Sequence, residues 1–111
     1  MIRISVDRER KSGRITGFRV GGHALFAESG KDIVCAGVSA VTVGTVNAAE
    51  SVAGVGLEVE MDAGKLHAIV PEGLDPKRQE SLQLLLESMI VMLHTIEESY
   101  SEYIRLQEHY E

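Results

Sequence analysis

Hydrophobic residues recur at every second position near the start of the chain, and this pattern predicts a pair of β-strands. Residues 2–7 have aliphatic side chains at alternate positions, with polar side chains between them. Residues 14–20 form the partner strand after a turn that contains glycine. Ile15 is out of phase with the later hydrophobic residues of that strand, so Gly17 is the expected place for a β-bulge.

The same alternation returns later in the chain. Residues 57–62 and 66–70 are predicted to pair as a second hairpin, joined by a turn at Asp62-Ala63-Gly64-Lys65. Pro71 ends the last of these strands, because proline cannot donate a hydrogen bond to a neighbouring strand. The sequence therefore predicts four strands in two hairpins.

A helix is predicted between the two hairpins, because residues 35–52 form a segment longer than an ordinary strand. Its apolar stripe is expected at Val38, Val41, Thr45, Ala49 and Val52. Small residues at Ala40, Gly44 and Ala48 are spaced by four and predict that another backbone or sheet approaches that face closely. Packing is expected to stabilise this helix, since its β-branched and glycine residues have low helix propensity.

A second helix is predicted from Pro76, with Asp75 as its N-cap. Tyr100 and Tyr103 continue its helical spacing, so we expect the helix to extend towards residue 110. A helix of that length exceeds the dimensions of so small a domain and would pack on a second copy in a homodimer. The alternative is a solvated acidic end with the tyrosines on the protein's own surface.

These elements define an α+β fold in the order β-β-α-β-β-α, with a mainly antiparallel sheet and two helices packed against it. The chain has 111 residues, of which 44% are hydrophobic, and this length suits one core. Residues 1–111 are therefore expected to form a single domain.

Charge and cysteine content narrow the classes of function. The net charge of −6 argues against direct nucleic-acid binding, which needs clustered Lys and Arg, and favours a basic partner. A single cysteine and the lack of an apolar leader favour the cytoplasm. Residues 33–49 carry no charge, but a buried core helix is a better interpretation than a membrane span.

The only cysteine, Cys35, lies at the predicted junction of loop and helix, twelve positions after His23. Unpaired N–H groups at a helix start favour the thiolate form and stabilise an oxyanion, and a nearby imidazole accepts the thiol proton. A buried structural cysteine is the alternative. The remaining histidines His67, His94 and His109 lack a second ligand at metal spacing, so we assign no metal and no cofactor.

Asp32 and Ser39 are candidate supporting residues. Asp32 precedes Cys35 by three positions and suits either the helix N-cap or the carboxylate that orients His23. Ser39 follows Cys35 by four positions, on the same helix face, where its hydroxyl contacts substrate or thiol, or else bonds to the helix backbone.

The run Gly22-His23-Ala24, followed by Gly30 and by the segment 32–40, resembles the ribosomal-processing cysteine protease family. The resemblance covers essentially the whole chain, including the order of strands and helices. Gly37 stands where alanine is expected in many relatives, which is a small change on a helix face.

The resemblance implies a dimeric cytoplasmic endopeptidase that removes the N-terminal extension of large-subunit ribosomal protein number twenty-seven during ribosome assembly. By position, Cys35 corresponds to the nucleophile and His23 to the general base. Gly22, Ala24 and Gly30 belong to a loop that closes over an extended peptide or is an inert surface loop. The rival functions are a non-catalytic ribosome-assembly binding protein, with Cys35 merely packed, and a thiol redox sensor.

Overall fold

The computed structural model describes residues 1–28 and 31–111 of the chain. Its elements are β1 (Ile2–Arg8), β2 (Ile15–Gly21), α1 (Ile33–Ala53), β3 (Glu58–Asp62), β4 (Lys65–Ile69), α2 (Pro76–Ser99) and β5 (Ile104–Tyr110). The α+β class is confirmed, as are both hairpins and both helices. The fifth strand is an addition to the predicted order.

The five strands form one mixed sheet in the order β3-β4-β2-β1-β5. β1 pairs antiparallel with β2, β2 with β4, and β4 with β3. β5 lies parallel to β1, with Ile2 opposite Ile104 and Arg8 opposite Tyr110. The two hairpins are therefore neighbours, and the end of β2 lies beside the start of β4.

Both helices pack on one face of this sheet. Ile2, Ile4 and Val6 of β1 are buried beneath the helices, whereas Arg3 between them is exposed. The helices and strands share one continuous core, whose largest fully buried side chains include Phe18, Ile15, Leu82, Leu86, Met89, Leu93 and Ile104.

The predicted bulge in β2 is confirmed. The register between β1 and β2 shifts after Asp7, which pairs with Gly17, because Arg8 pairs with Ile15 and Thr16 is skipped. The extra residue restores the phase, so that Ile15 and Phe18 both point into the core.

The helix α1 lies where the sequence places it, although its buried stripe differs in part. Its buried residues are Val34, Val38, Thr42, Thr45, Ala49 and Ala53. Val52 was predicted to be buried but is 75% exposed, because Ala53 takes its place on the core side. The face at Ala40 and Gly44 is exposed, so the predicted close approach of another backbone is not made by the described part of the chain.

By length and composition α1 would suffice to cross a membrane, since an 18-residue window has a mean hydropathy of 1.4. Only 28% of that window is buried, because one side of α1 faces outward. The exposed residues on that side are small or apolar and include Ala36, Ala40 and Val43. Its other side packs into the core, as expected for a core helix.

The prediction that the second helix continues towards residue 110 is wrong. α2 ends at Ser99, and residues 104–110 pair with the outer edge of β1. Ile104 is buried, Leu106 is half-buried, and the Glu97 carboxylate accepts the Leu106 N–H at 2.7 Å. Residues 104–110 thus complete the sheet of their own chain. The length of α2 therefore gives no support for a homodimer.

Candidate functional site

The loop between β2 and α1 carries the candidate chemistry and begins with a sharp turn at Gly22. This residue has a φ of 85°, and its N–H donates to the Gly64 carbonyl at 3.2 Å. A Cβ atom at Gly22 would overlap the carbonyl oxygen of Met1, so only glycine fits there. The turn places His23 at the end of the sheet where the β3–β4 turn also lies.

His23 is exposed, and its imidazole lies over Gly64. The His23 Nε2 atom is 3.2 Å from the point where a Gly64 Cβ would stand. Gly64 could not be assigned to the site from the sequence, because its proximity to His23 depends on β4 lying next to β2. The sequence showed only a glycine in a predicted hairpin turn, and in the structure this glycine has a φ of 74°.

Cys35 lies in the first turn of α1 and is half-buried. Its Sγ atom accepts the Ala24 N–H at 3.4 Å, which ties the thiol to the loop that carries His23. Among the described residues, no hydrogen bond joins the His23 imidazole to the Cys35 thiol, although both side chains line the same groove. Such a separation before substrate binds does not argue against a catalytic pair.

Asp32 is the N-cap of α1. Its Oδ1 accepts the Val34 and Cys35 N–H groups at 3.0 Å each, and its Oδ2 accepts the Phe26 N–H at 3.0 Å. Both carboxylate oxygens are therefore bonded to main-chain amides of helix and loop. Of the two roles considered for Asp32, the structure supports the N-cap and gives no contact with His23 within residues 1–28 and 31–111.

These amide contacts hold the pKa of Asp32 below its ordinary value. The Cys35 N–H contributes most, the Phe26 and Ala27 N–H groups add to it, and loss of hydration opposes them. The Asp32 carboxylate is therefore charged in the folded protein at neutral pH. It also accepts the N–H groups of Val34 and Cys35, two of the amides at the start of α1 that were expected to stabilise an oxyanion.

A groove of about 250 Å³ opens between α1 and the inner face of the sheet. His23, Cys35 and Ser39 lie along it, and its apolar walls come from Val20, Val38, Val43, Met61 and Leu66. The Ser39 hydroxyl makes no hydrogen bond within the described residues, whereas Thr42 and Thr45 bond to the helix carbonyls four residues back. Ser39 therefore presents its hydroxyl to the groove rather than to its own helix.

A second hollow adjoins the groove at the thiol. It is lined by Ala27, Asp32 and Ala36, and it shares His23, Cys35 and Ser39 with the groove. Cys35 thus borders both depressions. Gly30, which was predicted to belong to the loop, lies outside the described residues.

No group of three or more His, Cys, Asp or Glu side chains that could hold a metal occurs in the described part of the chain. The site offers the Cys35 thiol, the His23 imidazole, the Ser39 hydroxyl, the Asp32 carboxylate and several main-chain amides, and Asp62 and Lys65 also line the groove. This combination is that of nucleophilic thiol chemistry.

Comparisons with known proteins place this site in context. Residues 1–105 match the family described as cysteine protease Prp. The ribosomal processing cysteine protease Prp of Bacillus subtilis (strain 168) is 44% identical over 108 residues, which cover 96% of each chain. Its counterpart from Staphylococcus aureus (strain Mu50 / ATCC 700699) is 42% identical over 94 residues, covering 85% of this chain and 87% of the relative.

Solved structures agree with the sequence comparisons. A crystal structure of the essential ribosomal processing protease Prp from S. aureus, in complex with a covalently linked product peptide, superposes with a TM-score of 0.89. The two chains are 36% identical, and the match covers 98% of this chain and 100% of the other.

The fold and these matches define an enzyme of the cysteine protease class. The chain belongs to the ribosomal processing cysteine protease family Prp, and the resemblance that the motifs around His23 and Cys35 indicated is confirmed.

Proposed function

We propose that this protein is a cytoplasmic cysteine endopeptidase that removes the N-terminal extension of large-subunit ribosomal protein number twenty-seven during ribosome assembly. Cys35 is the nucleophile and His23 the general base in this proposal. The observation that carries it is the position of the thiol: Cys35 and His23 share one groove, and Cys35 borders two hollows.

The reaction follows from these groups. The His23 imidazole accepts the thiol proton, and the Cys35 sulfur attacks the carbonyl carbon of the scissile peptide bond. The C–N bond then breaks, and the amine leaves with the proton from His23. Water, deprotonated by His23, hydrolyses the remaining thioester and restores the thiol.

The two hollows favour cleavage inside a chain. An endopeptidase must hold residues on both sides of the scissile bond, and the two depressions that border Cys35 offer room for both. The groove has the apolar walls described above, which suit hydrophobic side chains of an extended peptide. The same arrangement would be unnecessary for a thiol that only reacts with oxidants.

Relatives support the class of substrate. The B. subtilis and S. aureus relatives bear the name ribosomal processing protease, and one S. aureus structure holds a covalently linked product peptide. A covalent link to a product peptide is what nucleophilic catalysis by a thiol requires. Transfer of that activity to this chain rests on the matching His23 and Cys35 motifs.

The supporting residues take roles that fit their contacts. We assign Asp32 the role of tying the loop to the start of α1 through its two carboxylate oxygens. We assign Ser39 the role of contacting the substrate through its hydroxyl. Gly22 and Ala24 shape the base-bearing end of the loop. Residues 1–111 act as one catalytic domain, since one core is shared by both helices and by every strand except the exposed β3.

The test is incubation of the full-length ribosomal protein precursor with this protein under reducing conditions, followed by mass spectrometry. We expect one cut near the precursor's N-terminus, lost in Cys35→Ala and His23→Ala and retained in His109→Ala, whose exposed imidazole lies on β5. Binding without cleavage by the unmodified protein would favour the assembly binder. Activity that appears only on oxidation would favour the redox sensor.

We also propose a homodimer, formed through the outward face of the helices. Leu84 and Val91 of α2 are 70% and 66% exposed, and they follow one stripe with Ser88 and Thr95. The hydroxyls of Ser88 and Thr95 bond to their own helix carbonyls, so the stripe carries no charge and offers no outward donor. A second copy of this chain would bury it against the same stripe.

The oligomeric state tests this proposal. Sedimentation velocity should give a dimer for the unmodified protein and a monomer for the variant with Leu84→Glu and Val91→Glu. The matched control is Glu98→Gln, an exposed change near the end of the same helix. A monomer in all three samples would contradict the dimer and leave the protease proposal untouched.

A further inference from the structure

Two of the amides that commonly stabilise an anion at a helix start are already hydrogen-bonded in this protein. Val34 and Cys35 donate to the Asp32 side chain, and the Ala36 N–H donates to the Asp32 carbonyl at 3.0 Å. The oxyanion that forms on the scissile carbonyl could recruit the Val34 or Cys35 N–H only by displacing a charged carboxylate. A donor without such competition would stabilise the oxyanion more effectively.

The Ala24 amide has the properties of such a donor. Ala24 is only 3% exposed, and within residues 1–28 and 31–111 the acceptor of its N–H is the Cys35 sulfur at 3.4 Å. Neutral sulfur is a weak acceptor, so this buried N–H is poorly satisfied while the thiol is uncharged. It points at the reacting atom and is held in place before any charge develops.

The backbone around Ala24 fixes this direction. Leu25 has a φ of 58°, a left-handed conformation that side-chain-bearing residues rarely adopt. The Phe26 N–H, which follows Leu25, donates to the Asp32 carboxylate, whereas the Ala24 N–H, which precedes Leu25, donates to the Cys35 sulfur. Such strain is retained where surrounding contacts impose it, which is common at functional sites.

We propose that the main-chain N–H of Ala24 is the oxyanion donor of the acyl-transfer step, an inference that rests on the proposed protease function. As the thiolate forms the C–S bond, the π electrons of the scissile carbonyl move to its oxygen. That oxygen lies two bonds from the sulfur, within reach of a donor already aimed at the sulfur. When the C–N bond breaks, the electron pair returns to the carbonyl and the amine takes the His23 proton.

Removal of this single N–H tests the proposal. Cys35 is the only cysteine, so the protein can be assembled by native chemical ligation between a synthetic segment 1–34 and residues 35–111. The variant is Ala24→lactic acid, which replaces the N–H with an ester oxygen and keeps the methyl side chain. The matched control is Ser12→glyceric acid, an ester in the turn at the opposite end of β2.

We expect kcat for cleavage of a peptide from the ribosomal protein precursor to fall by about 10²–10³-fold in the Ala24 ester, with KM little changed. The Ser12 ester should retain the activity of the unmodified synthetic protein. Alkylation of Cys35 by iodoacetamide forms no oxyanion, and its rate should fall far less than the rate of peptide cleavage.

Two results would overturn the inference. Unchanged kcat in the Ala24 ester would show that this N–H does not stabilise the transition state. Equal losses in alkylation and cleavage would show that it serves the thiolate alone. Failure of the unmodified synthetic protein to cleave the peptide would instead contradict the protease proposal itself.

Discussion

At Gly64 a single hydrogen atom in place of a side chain leaves room for the His23 imidazole. We predict that Gly64→Ala lowers the free energy of unfolding by about 1–2 kcal/mol, because of its φ of 74°. It should also lower kcat/KM roughly tenfold, because the new methyl group displaces the imidazole. Urea unfolding and peptide cleavage measure the two effects.

Gly73→Ala is the matched control for this prediction. Gly73 has a φ of 78° and nothing within 4 Å of its would-be Cβ, so the same backbone strain arises without contact. It should lose similar stability and keep its activity. Equal activity losses in the two variants would refute the steric explanation.

The Asp32 carboxylate gives stability a specific dependence on pH. Because its pKa is lowered in the folded state, its contribution is fully present above the unfolded pKa of about 4 and is lost as pH falls through the folded value. Asp32→Asn keeps an N-cap oxygen but cannot accept the Phe26 N–H with its second atom. It should therefore be less stable than the unmodified protein at neutral pH.

Urea unfolding between pH 7 and pH 2 measures this prediction. The stability difference between the unmodified protein and Asp32→Asn should be constant near neutral pH and shrink in acid. A difference that stays constant down to pH 2 would show that the charge of Asp32 does not contribute.

The roles of single residues were predictable only as far as local sequence determines them. The spacing of Asp32 and Cys35 correctly allowed an N-cap, since helix capping is a local interaction. It left the orientation of His23 open, because the Phe26 contact that occupies the second carboxylate oxygen depends on the path of the loop. Gly64 approaches His23 only through the pairing of β2 with β4, which the sequence did not indicate.

The loop between β2 and α1 is anchored by an aromatic contact. Phe26 packs edge-on against Tyr100 and Tyr103 of the α2–β5 connection, with ring centroids 5.7 and 5.1 Å apart. We predict that Phe26→Ala loosens the loop, which raises amide hydrogen exchange at residues 24–28 and lowers kcat/KM. Leu25→Ala, a change at a side chain that is 78% exposed, should alter exchange little.

Arg8 joins three elements and one turn through its guanidinium. It makes a bidentate pair with Glu87 of α2, with N–O distances of 2.9 and 2.6 Å, and it donates to Glu108 of β5 and to the Gly13 carbonyl at 2.8 Å each. The Glu87 hydrogen bonds are the main reason that the pKa of Arg8 is raised and that of Glu87 lowered. The network holds β1, β5 and α2 together.

Arg8→Lys should therefore lower the free energy of unfolding by about 1–2 kcal/mol, because an ammonium cannot make the bidentate contact. Its control is Arg19→Lys, where the exposed side chain stands 3.8 Å from Asp7 and should contribute almost nothing. Urea unfolding at pH 7 gives both values. Equal losses of unfolding free energy in the two variants would show that any arginine-to-lysine change has this effect and that the Arg8 network is not its cause.

At the scale of elements, alternation and helix length predicted both hairpins and both helices. The last strand was missed because Tyr100 and Tyr103 happen to continue the helical spacing of α2. Residues 104–110 become a strand through the open edge of β1, about one hundred positions away in sequence. Pairing of that kind overrides local propensity and is not visible in a window of neighbouring residues.

For the whole molecule, the net charge of −6 predicts faster capture of a basic substrate at low salt. The rate kcat/KM for the full-length precursor should fall as ionic strength rises above about 0.1 M, because the Debye length there is about 10 Å. Cleavage of an uncharged peptide with the same scissile bond should change little. Matching salt profiles for the two substrates would argue against steering.

Glu58→Gln with Glu60→Gln offers a direct check of this effect. Both carboxylates are exposed on β3, at the edge of the sheet, and neither lines the groove. The double variant should lower kcat/KM for the precursor at low salt and leave cleavage of the uncharged peptide unchanged.

The parallel pairing of β1 with β5 has a consequence for synthesis of the protein. β1 emerges from the ribosome before β5, which follows it by about one hundred residues in the chain. Until β5 emerges, β1 can pair only with β2, and Ile2, which lines the groove, lacks Ile104 beside it. The sheet that borders the groove is thus completed only after residues 104–110 leave the exit tunnel, so the nascent chain cannot adopt its full five-stranded fold until they emerge.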